Sequence, residues 1–252
     1  MKIIVIGGGI GGLTTALSLH QAGIPVRVFE TVQTLTALGV GINIQPNAVR
    51  ELTELGLGDD LAATAIATAN LGYFNKHGQQ IWSEPRGIGA GYKFPQYSIH
   101  RGHLLMLLAN AVRTRIGEEN FVLGHHLGGF EDDGKQVTAH FVDRRSGKRI
   151  HSETADALLG ADGIHSTVRG LVFGEVNPQF AGFANWRAIL PRPKTVNRMI
   201  WMWGRGRSLG VLPVDGNQLY FAGVTKEKDV SRYPQAQLAA LARDKFKAFA
   251  GV

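Results

Sequence analysis

The sequence predicts an α/β fold: a parallel sheet opened by a strand, a helix and a second strand, with an antiparallel meander and a partial second β-rich layer. Three patterns predict it. A β-branched run at residues 2–6 leads directly into a glycine-rich turn and an amphipathic segment. Apolar and polar residues alternate between turn residues at 121–155, and again in a hairpin pattern at 71–82.

Composition limits the classes of protein to which this chain can belong. Its 252 residues are 44% apolar and 19% charged, and no apolar run approaches the length of a membrane span. The absence of cysteine excludes disulfides and thiol nucleophiles and fits a cytoplasmic protein, and a strand starting at Lys2 leaves no room for an export signal. The net charge of +7 is scattered, so we expect anionic cofactors and substrates rather than nucleic acid.

The N-terminal elements predict a dinucleotide site. A strand is expected at Lys2–Ile6, and the glycines after it form G-x-G-x-x-G at Gly7, Gly9 and Gly12, followed by a helix and a second strand that ends in Glu30. Such glycines permit a tight turn, leave backbone room for a pyrophosphate and let helix and strand pack closely. Glu30 would accept hydrogen bonds from ribose hydroxyls, which disfavours a 2′-phosphate and hence NADP at this site. The unit is therefore Rossmann-type.

The middle of the chain offers two further candidate positions. A small-residue loop is expected from Gly39 to Pro46, followed by a helix from Asn47 to about Leu55. Arg101 stands where a later strand passes into a helix, and a cation there opposes the helix dipole, which favours an anion nearby over a solvated side chain. Asp162-Gly163 follows the run Ala157-Leu158-Leu159, which we expect to be a buried strand. From the residues alone this pair is equally a ligand site or an ordinary turn.

These motifs together resemble one family. GGGIGGL, the strand ending in Glu30, HR at 100 and 101, and GADGIHSTVR at 160–169 resemble the FAD-dependent aromatic hydroxylases typified by p-hydroxybenzoate hydroxylase. Segments such as GVGINIQP and PQYSIHRG are most similar to the phenazine hydroxylase of pyocyanin biosynthesis, and FANWRAIL to LYFAGVT is more similar to the urate and salicylate branch. The resemblance implies FAD as cofactor and NADH or NADPH as transient reductant.

The resemblance also implies residue roles. It implies these cofactor contacts: Gly7, Gly9, Gly12 and Glu30 at the adenosine half of FAD, Val40, Gly41 and Ile42 beside the isoalloxazine ring, Arg101 at the phosphate and ribityl region, and Asp162 with Gly163 as a fingerprint shared with NAD(P)H. The substrate pocket would lie between flavin and second layer, built in part by 180–225. Arg207 and Tyr220 match substrate-facing positions of the urate branch, although each is equally consistent with a loop cation and a half-buried strand aromatic.

The implied organisation is a discontinuous FAD-binding domain with a substrate layer. The FAD-binding domain would cover 1–70 and 98–175, the substrate-binding layer 71–97 and 176–232, and a truncated C-terminal helical segment 233–252. The family's third fingerprint, Gly-Asp followed by His and a later Pro, does not occur before Val252. A truncated chain, a fragment of a longer product and a naturally short relative all remain open.

The implied activity is hydroxylation of an aromatic or heteroaromatic small molecule, phenolic, carboxylated or phenazine-like, with NAD(P)H and O2. Two alternatives stand beside it: an FAD-binding fragment without turnover, and a flavin-dependent reductase or halogenase on the same fold. The halogenase signature W-x-W-x-I-P is absent, since Trp201-Met202-Trp203 continues into Gly204. No catalytic residue can be named. The nine histidines lack metal-ligand spacing, and His125-His126 is expected to be a solvated pair.

Overall fold

The computed structural model describes residues 1–174, 177–228 and 233–249. From the N-terminus the elements are β1 (Ile3–Ile6), α1 (Ile10–Gln21), β2 (Val26–Phe29), β3 (Gly41–Ile44), α2 (Pro46–Glu54), α3 (Gly58–Thr64), β4 (Ile66–Ala67), β5 (Asn70–Asn75), β6 (Gln80–Pro85), β7 (Tyr97–His100) and α4 (Arg101–Ile116). They are followed by β8 (Phe121–Val122), β9 (His126–Asp132), β10 (Val137–Val142), β11 (Arg149–Ala155), β12 (Ala157–Gly160), α5 (Thr167–Phe173), β13 (Phe183–Pro191), β14 (Met199–Gly204), β15 (Arg207–Val214), β16 (Gln218–Lys226) and α6 (Leu238–Phe246). The α/β prediction is confirmed.

The chain forms two compact units. The first comprises Met1–Ala37 and Gly102–Pro178, and the second comprises Leu38–Arg101 and Gln179–Val252. These bounds differ from the expected domain ranges, which assigned residues 38–70 and 98–101 to the FAD-binding domain. The physical reason is contact with the later strands, since Gly41 lies against Tyr220 and the His100 amide donates a hydrogen bond of 2.5 Å to the Asp215 carboxylate. As functional domains the expected ranges stay a prediction, and 175–176, 229–232 and 250–252 lie outside the described residues.

The first unit is built on a parallel sheet with strand order β12-β1-β2-β8. All four residues of β1 are buried, as expected for a strand covered on both faces. The antiparallel meander β11-β10-β9 was predicted from alternation and is confirmed. It packs on the sheet through one apolar cluster, made of Ile4, Ile6, Phe29, Leu127, Ala139, Phe141 and Ala155.

Strand β12 corrects one expectation. The run Ala157-Leu158-Leu159 was expected to be buried, but β12 is the edge strand of the parallel sheet and Leu159 is 38% exposed. It pairs only with β1 among the described strands, with Ile6 opposite Gly160. An apolar run alone does not distinguish a central strand from an edge strand. The strand nevertheless delivers Asp162 beside the end of β1.

The second unit is dominated by a six-stranded sheet of order β13-β16-β15-β14-β5-β6, in which the predicted hairpin β5-β6 is confirmed. Part of the expected loop from Gly39 to Pro46 is instead strand β3, antiparallel to β7 with Gly41 opposite His100. Glycine has no side chain to contribute to the apolar–polar alternation of a strand, so this short strand could not be recognised in the sequence. Helix α2 begins at Pro46, one residue before the expected start.

One face of the six-stranded sheet carries an apolar core. Buried side chains from the sheet and from the C-terminal segment meet there: Trp186, Met202, Leu209, Phe246 and Phe249. Because side chains alternate along each strand, neighbouring residues point to the opposite face. The residues that alternate with these in each strand therefore lie on the face outside this apolar core. No helix in the described ranges is both long and apolar enough to cross a bilayer.

Candidate functional site

In the glycine-rich segment after β1, packing within the protein requires glycine at Gly7 and Gly12 but not at Gly9. Gly7 has φ +109°, and a Cβ there would overlap the Ala161 carbonyl group. At Gly12 a Cβ would overlap the Gly7 carbonyl oxygen, so α1 packs directly on the turn. At Gly9, by contrast, a Cβ would meet no described protein atom within 4 Å. Packing explains Gly7 and Gly12, whereas Gly9 leaves backbone room that the protein itself does not fill.

Glu30 lies beside that turn, directly after β2. Its Oε2 accepts a hydrogen bond of 2.6 Å from the Gly8 amide, and its Oε1 accepts one of 3.0 Å from the Val32 amide. These bonds hold the carboxylate next to the start of α1, where no side chain caps the helix N-terminus. Backbone amides and a helix N-terminus favour an anion, and Glu30 is placed to accept from sugar hydroxyls.

A cleft of about 400 Å³ brings together five of the six sequence-predicted residues of this unit, all except Gly12. It is lined by Gly7, Gly9 and Glu30 and, from the end of β12, by Asp162 and Gly163. The Asp162 carboxylate accepts hydrogen bonds of 2.5 Å from Ser166 Oγ and of 2.6 Å from the Thr167 backbone amide. It thereby holds the start of α5. Gly163, with φ +82°, adopts a conformation that favours glycine.

Three basic residues of this cleft were missed from the sequence. His126, Arg144 and His165 line it together with the glycines. Arg144 had been assigned only to a turn of the meander, and nothing in its local pattern indicates that the turn reaches the cleft. His125 also corrects an expectation, because its ring lies 5.8 Å from the Phe29 ring centroid and is partly buried, so the two histidines are not a solvated pair.

In the second unit, β3 brings another set of predicted residues together. The Val40 carbonyl accepts a hydrogen bond of 2.8 Å from the Arg101 amide. Gly41 lies against Tyr220, and a Cβ at position 41 would come within 2.5 Å of the Tyr220 ring. Ile42 follows in the same strand. The Arg101 side chain is exposed and forms no ion pair within the described part of the chain, so its charge is available to an anion.

Tyr220 is half-buried, and burial raises the pKa of its phenol above the ordinary value, while the nearby Arg187 charge lowers it in part. The phenol therefore stays protonated near neutral pH and can donate a hydrogen bond. In the sheet, Tyr220 pairs with Ile189, and Arg187 pairs with Ala222, so Arg187 is the diagonal neighbour of Tyr220 on the same face. Arg187 was not singled out from the sequence.

Arg207 lies on the opposite face. It pairs with Thr225, an odd number of residues from Tyr220, and alternation therefore points the two side chains away from each other. Arg207 donates instead to the Lys245 carbonyl on the side of α6. The structure thus separates the two substrate candidates, and the neighbour of Arg207 in β15, Ser208, lies on the Tyr220 face. A shift of one residue in a strand reverses the face.

The Tyr220 face has a small-residue floor with a cation on one side and an aromatic ring on the other. Across the sheet, Arg187, Ala222, Gly210 and Trp201 occupy one register row. The Trp201 ring lies over Gly210, where only glycine leaves space for it. The small residues provide a flat surface and Arg187 provides a positive charge, so the row suits an aromatic ligand that carries a negative group. Strand pairing creates the row, so neither Arg187 nor Trp201 can be identified from local sequence.

Comparison with known proteins identifies the family. A family model described as "FAD binding domain" matches residues 1–246. Phenazine 1,6-dicarboxylic acid hydroxylase of Lysobacter antibioticus is 49% identical over 168 residues, covering 66% of this chain and 41% of that protein. Aurachin C monooxygenase/isomerase of Stigmatella aurantiaca is 32% identical and covers 96% of this chain and 62% of its own length.

A solved structure agrees. Klebsiella pneumoniae HpxO complexed with FAD and uric acid superposes with a TM-score of 0.84 at 26% identity, over 100% of this chain and 63% of the other. This chain spans less than two thirds of the length of these relatives. The uncapped helix, the room above Gly9 and the placed Glu30 carboxylate fit the diphosphate and ribose of a dinucleotide. The chain belongs to the FAD binding domain family, the two relatives above are named as a hydroxylase and a monooxygenase/isomerase, and FAD is its cofactor.

Proposed function

We propose that this chain serves a flavoprotein monooxygenase that hydroxylates an anionic aromatic or heteroaromatic small molecule with NADH or NADPH and O2. The observation that carries the proposal is the Tyr220 face, where the cation Arg187 and the hydrogen-bond donor Tyr220 are diagonal neighbours over a small-residue floor beside the β3 glycine. The relatives named above act as monooxygenases and hydroxylases. The absence of cysteine fits action in the cytoplasm.

In the first unit the residues would hold the cofactor. Bound FAD supplies the redox chemistry that connects the reductant to oxygen. The α1 amides and the backbone at Gly9 would bind its diphosphate, and Glu30 would accept from the adenosine ribose. Gly7 and Gly12 keep turn and helix in contact. Asp162 would act by holding the α5 start and so the shape of the cleft.

In the second unit the residues would hold the ring to be hydroxylated. Arg187 would neutralise the substrate's negative group, and Tyr220 would donate a hydrogen bond to a ring oxygen or carboxylate. Arg101, Val40 and Ile42 would bind the flavin end of the cofactor, where Gly41 permits close approach of Tyr220. Positioning the ring in this way is the protein's main contribution to rate.

The alternative is an FAD-binding chain without turnover. It is favoured by one observation, namely that the relatives are longer than this chain by more than a third of their own length. Reconstitution separates the two. We expect the purified chain to bind FAD and to oxidise NADH or NADPH faster when an aromatic carboxylate such as salicylate is added.

The two readouts have distinct meanings. FAD binding without substrate-stimulated NAD(P)H oxidation would support the non-catalytic alternative. A chain that remains colourless after incubation with FAD would contradict the cofactor assignment as well. Formation of a hydroxylated product, measured by mass spectrometry, distinguishes a monooxygenase from a reductase.

A further inference from the structure

The second unit contains a second cleft that the proposed reaction does not use. It has a volume of about 740 Å³, within the range of small-molecule sites. Its lining comes from the segment after β3 and from residues 84–96, and includes Arg50, Arg86, Lys93, Tyr92 and Gln96. None of Gly41, Arg187, Trp201 and Tyr220 lines it, so it is separate from the Tyr220 face.

Two residues that line this cleft each carry a buried donor without a partner. Among the described residues, three buried side-chain atoms have no hydrogen-bond partner, and two of them, Arg86 Nε and Gln96 Nε2, belong to this lining. Gln96 is only 1% exposed. An unsatisfied buried donor is costly and rare in native proteins. Two in one cleft indicate that a ligand with acceptor atoms completes the site.

The surrounding backbone holds these donors in place. Gly87 has φ +56°, and a Cβ there would come within 2.5 Å of the Gln96 backbone nitrogen, so the turn packs tightly on the backbone of residue 96. The Gln96 carbonyl accepts a bond of 2.8 Å from the Thr68 amide. Arg86 is held by Glu84 and donates to the Tyr73 hydroxyl at 3.3 Å. The site is therefore preorganised.

Charge and ring content define the class of ligand. Arg50, Arg86 and Lys93 outnumber the single lining carboxylate, Glu84. Arg50 is paired with Glu51 and Arg86 with Glu84, whereas Lys93 forms no ion pair with any described residue. Tyr92 and Phe94 add aromatic surface. We propose that this cleft is a second binding site, specific for a planar aromatic carboxylate.

In this site the carboxylate accepts from Gln96 Nε2 and Arg86 Nε, Lys93 supplies the remaining positive charge, and the ring lies among Tyr92 and Phe94. The inference does not depend on turnover or on FAD, because every residue it uses lies within 50–96 of the second unit. The ligand class coincides with the proposed substrate class, but no hydroxylation takes place in this cleft.

Calorimetric titration of the chain with sodium 2-naphthoate tests the site, with 2-naphthamide as the uncharged control. We expect the carboxylate to bind and the amide to bind at least about tenfold more weakly. The variant Gln96→Met removes the unpartnered amide while preserving length, and it should weaken 2-naphthoate binding about tenfold. The same variant should raise the melting temperature by about 2 to 4 °C, because a buried unsatisfied donor is gone.

Gln218→Met is the matched control. Gln218 Oε1 is the third unpartnered buried atom, but it lies outside this cleft. This variant should leave 2-naphthoate affinity unchanged. No binding of 2-naphthoate to the wild-type chain, equal binding by Gln96→Met, or binding weakened as much in Gln218→Met as in Gln96→Met would each overturn the proposal.

Discussion

The glycine turn of the first unit and the Tyr220 face of the second unit perform their tasks by different means. The turn uses backbone: Gly7 and Gly12 permit contact between turn and helix, and Gly9 leaves room for a ligand. The Tyr220 face uses side chains, with Arg187 and Tyr220 selected by strand register. A backbone site tolerates almost no substitution, whereas a side-chain site can change specificity without disturbing the fold.

The largest expected effect concerns the turn. Gly12→Ala should destabilise the protein by about 3 kcal/mol and abolish FAD binding, because the new Cβ overlaps the Gly7 carbonyl oxygen. Gly11→Ala is the matched control, since a Cβ at Gly11 meets no described atom within 4 Å and alanine favours a helix. Thermal unfolding and FAD titration measure both. Equal stability of the two variants would break the distinction between required and unrequired glycines.

The second prediction concerns the ion pairs of Glu153, which join the parallel sheet to the meander in the first unit. Burial opposes ionisation of Glu153, but hydrogen bonds from Lys2, His151 and Arg27 outweigh it and lower the pKa from 4.5 to about 2. Lys2 and Arg27 lie at the parallel sheet and Glu153 lies on the meander, so the pairs join the two layers. Glu153→Gln should lower the free energy of unfolding by about 3 kcal/mol at neutral pH.

The pH dependence gives this prediction a sign. A lowered pKa in the folded state means that the contribution is present above pH 4.5 and is lost as pH falls toward 2. The difference in unfolding free energy between wild type and Glu153→Gln should therefore shrink across that window, as measured by urea unfolding at several pH values. A difference that stays constant down to pH 2 would show that the ion pairs do not cause it.

The smallest expected effects separate the two sheet faces. Arg187→Met should raise the KM for an aromatic carboxylate about tenfold, because the substrate charge loses its partner, while FAD stays bound. Arg207→Met is the matched control on the α6 side and should leave KM unchanged. Steady-state NAD(P)H oxidation checks both. The reverse result, with KM altered only in Arg207→Met, would place the substrate on the other face.

The sequence predicts the first unit well for a physical reason. A glycine turn, a helix and a terminal acid are local features, so Gly7, Gly9, Gly12 and Glu30 can be placed by spacing alone. The meander was predicted from alternation. In contrast, the partial exposure of Leu159 depends on which strands lie next to it, and His126 and Arg144 reach the cleft only through packing of the meander.

The second unit was harder because its site depends on pairing between distant strands. Arg207 was named as a substrate candidate by resemblance, and one residue decides the face of a strand. Arg187 becomes a candidate only when β13 is paired with β16. Strand β3 was mistaken for a loop because glycines obscure its alternation. The proximity of Gly41 to Tyr220 could likewise not be read from spacing.

FAD titration of Gly9→Ala beside the wild-type chain tests most directly whether the space above Gly9 holds the FAD diphosphate. The backbone at Gly9 has φ −77°, which alanine adopts without strain, and no described protein atom lies near the added methyl group. We expect the wild type to bind FAD, and the variant to keep its melting temperature but bind FAD at least about tenfold more weakly. Equal affinity of wild type and variant, or no FAD binding by the wild type, would contradict the assignment of this space to the diphosphate.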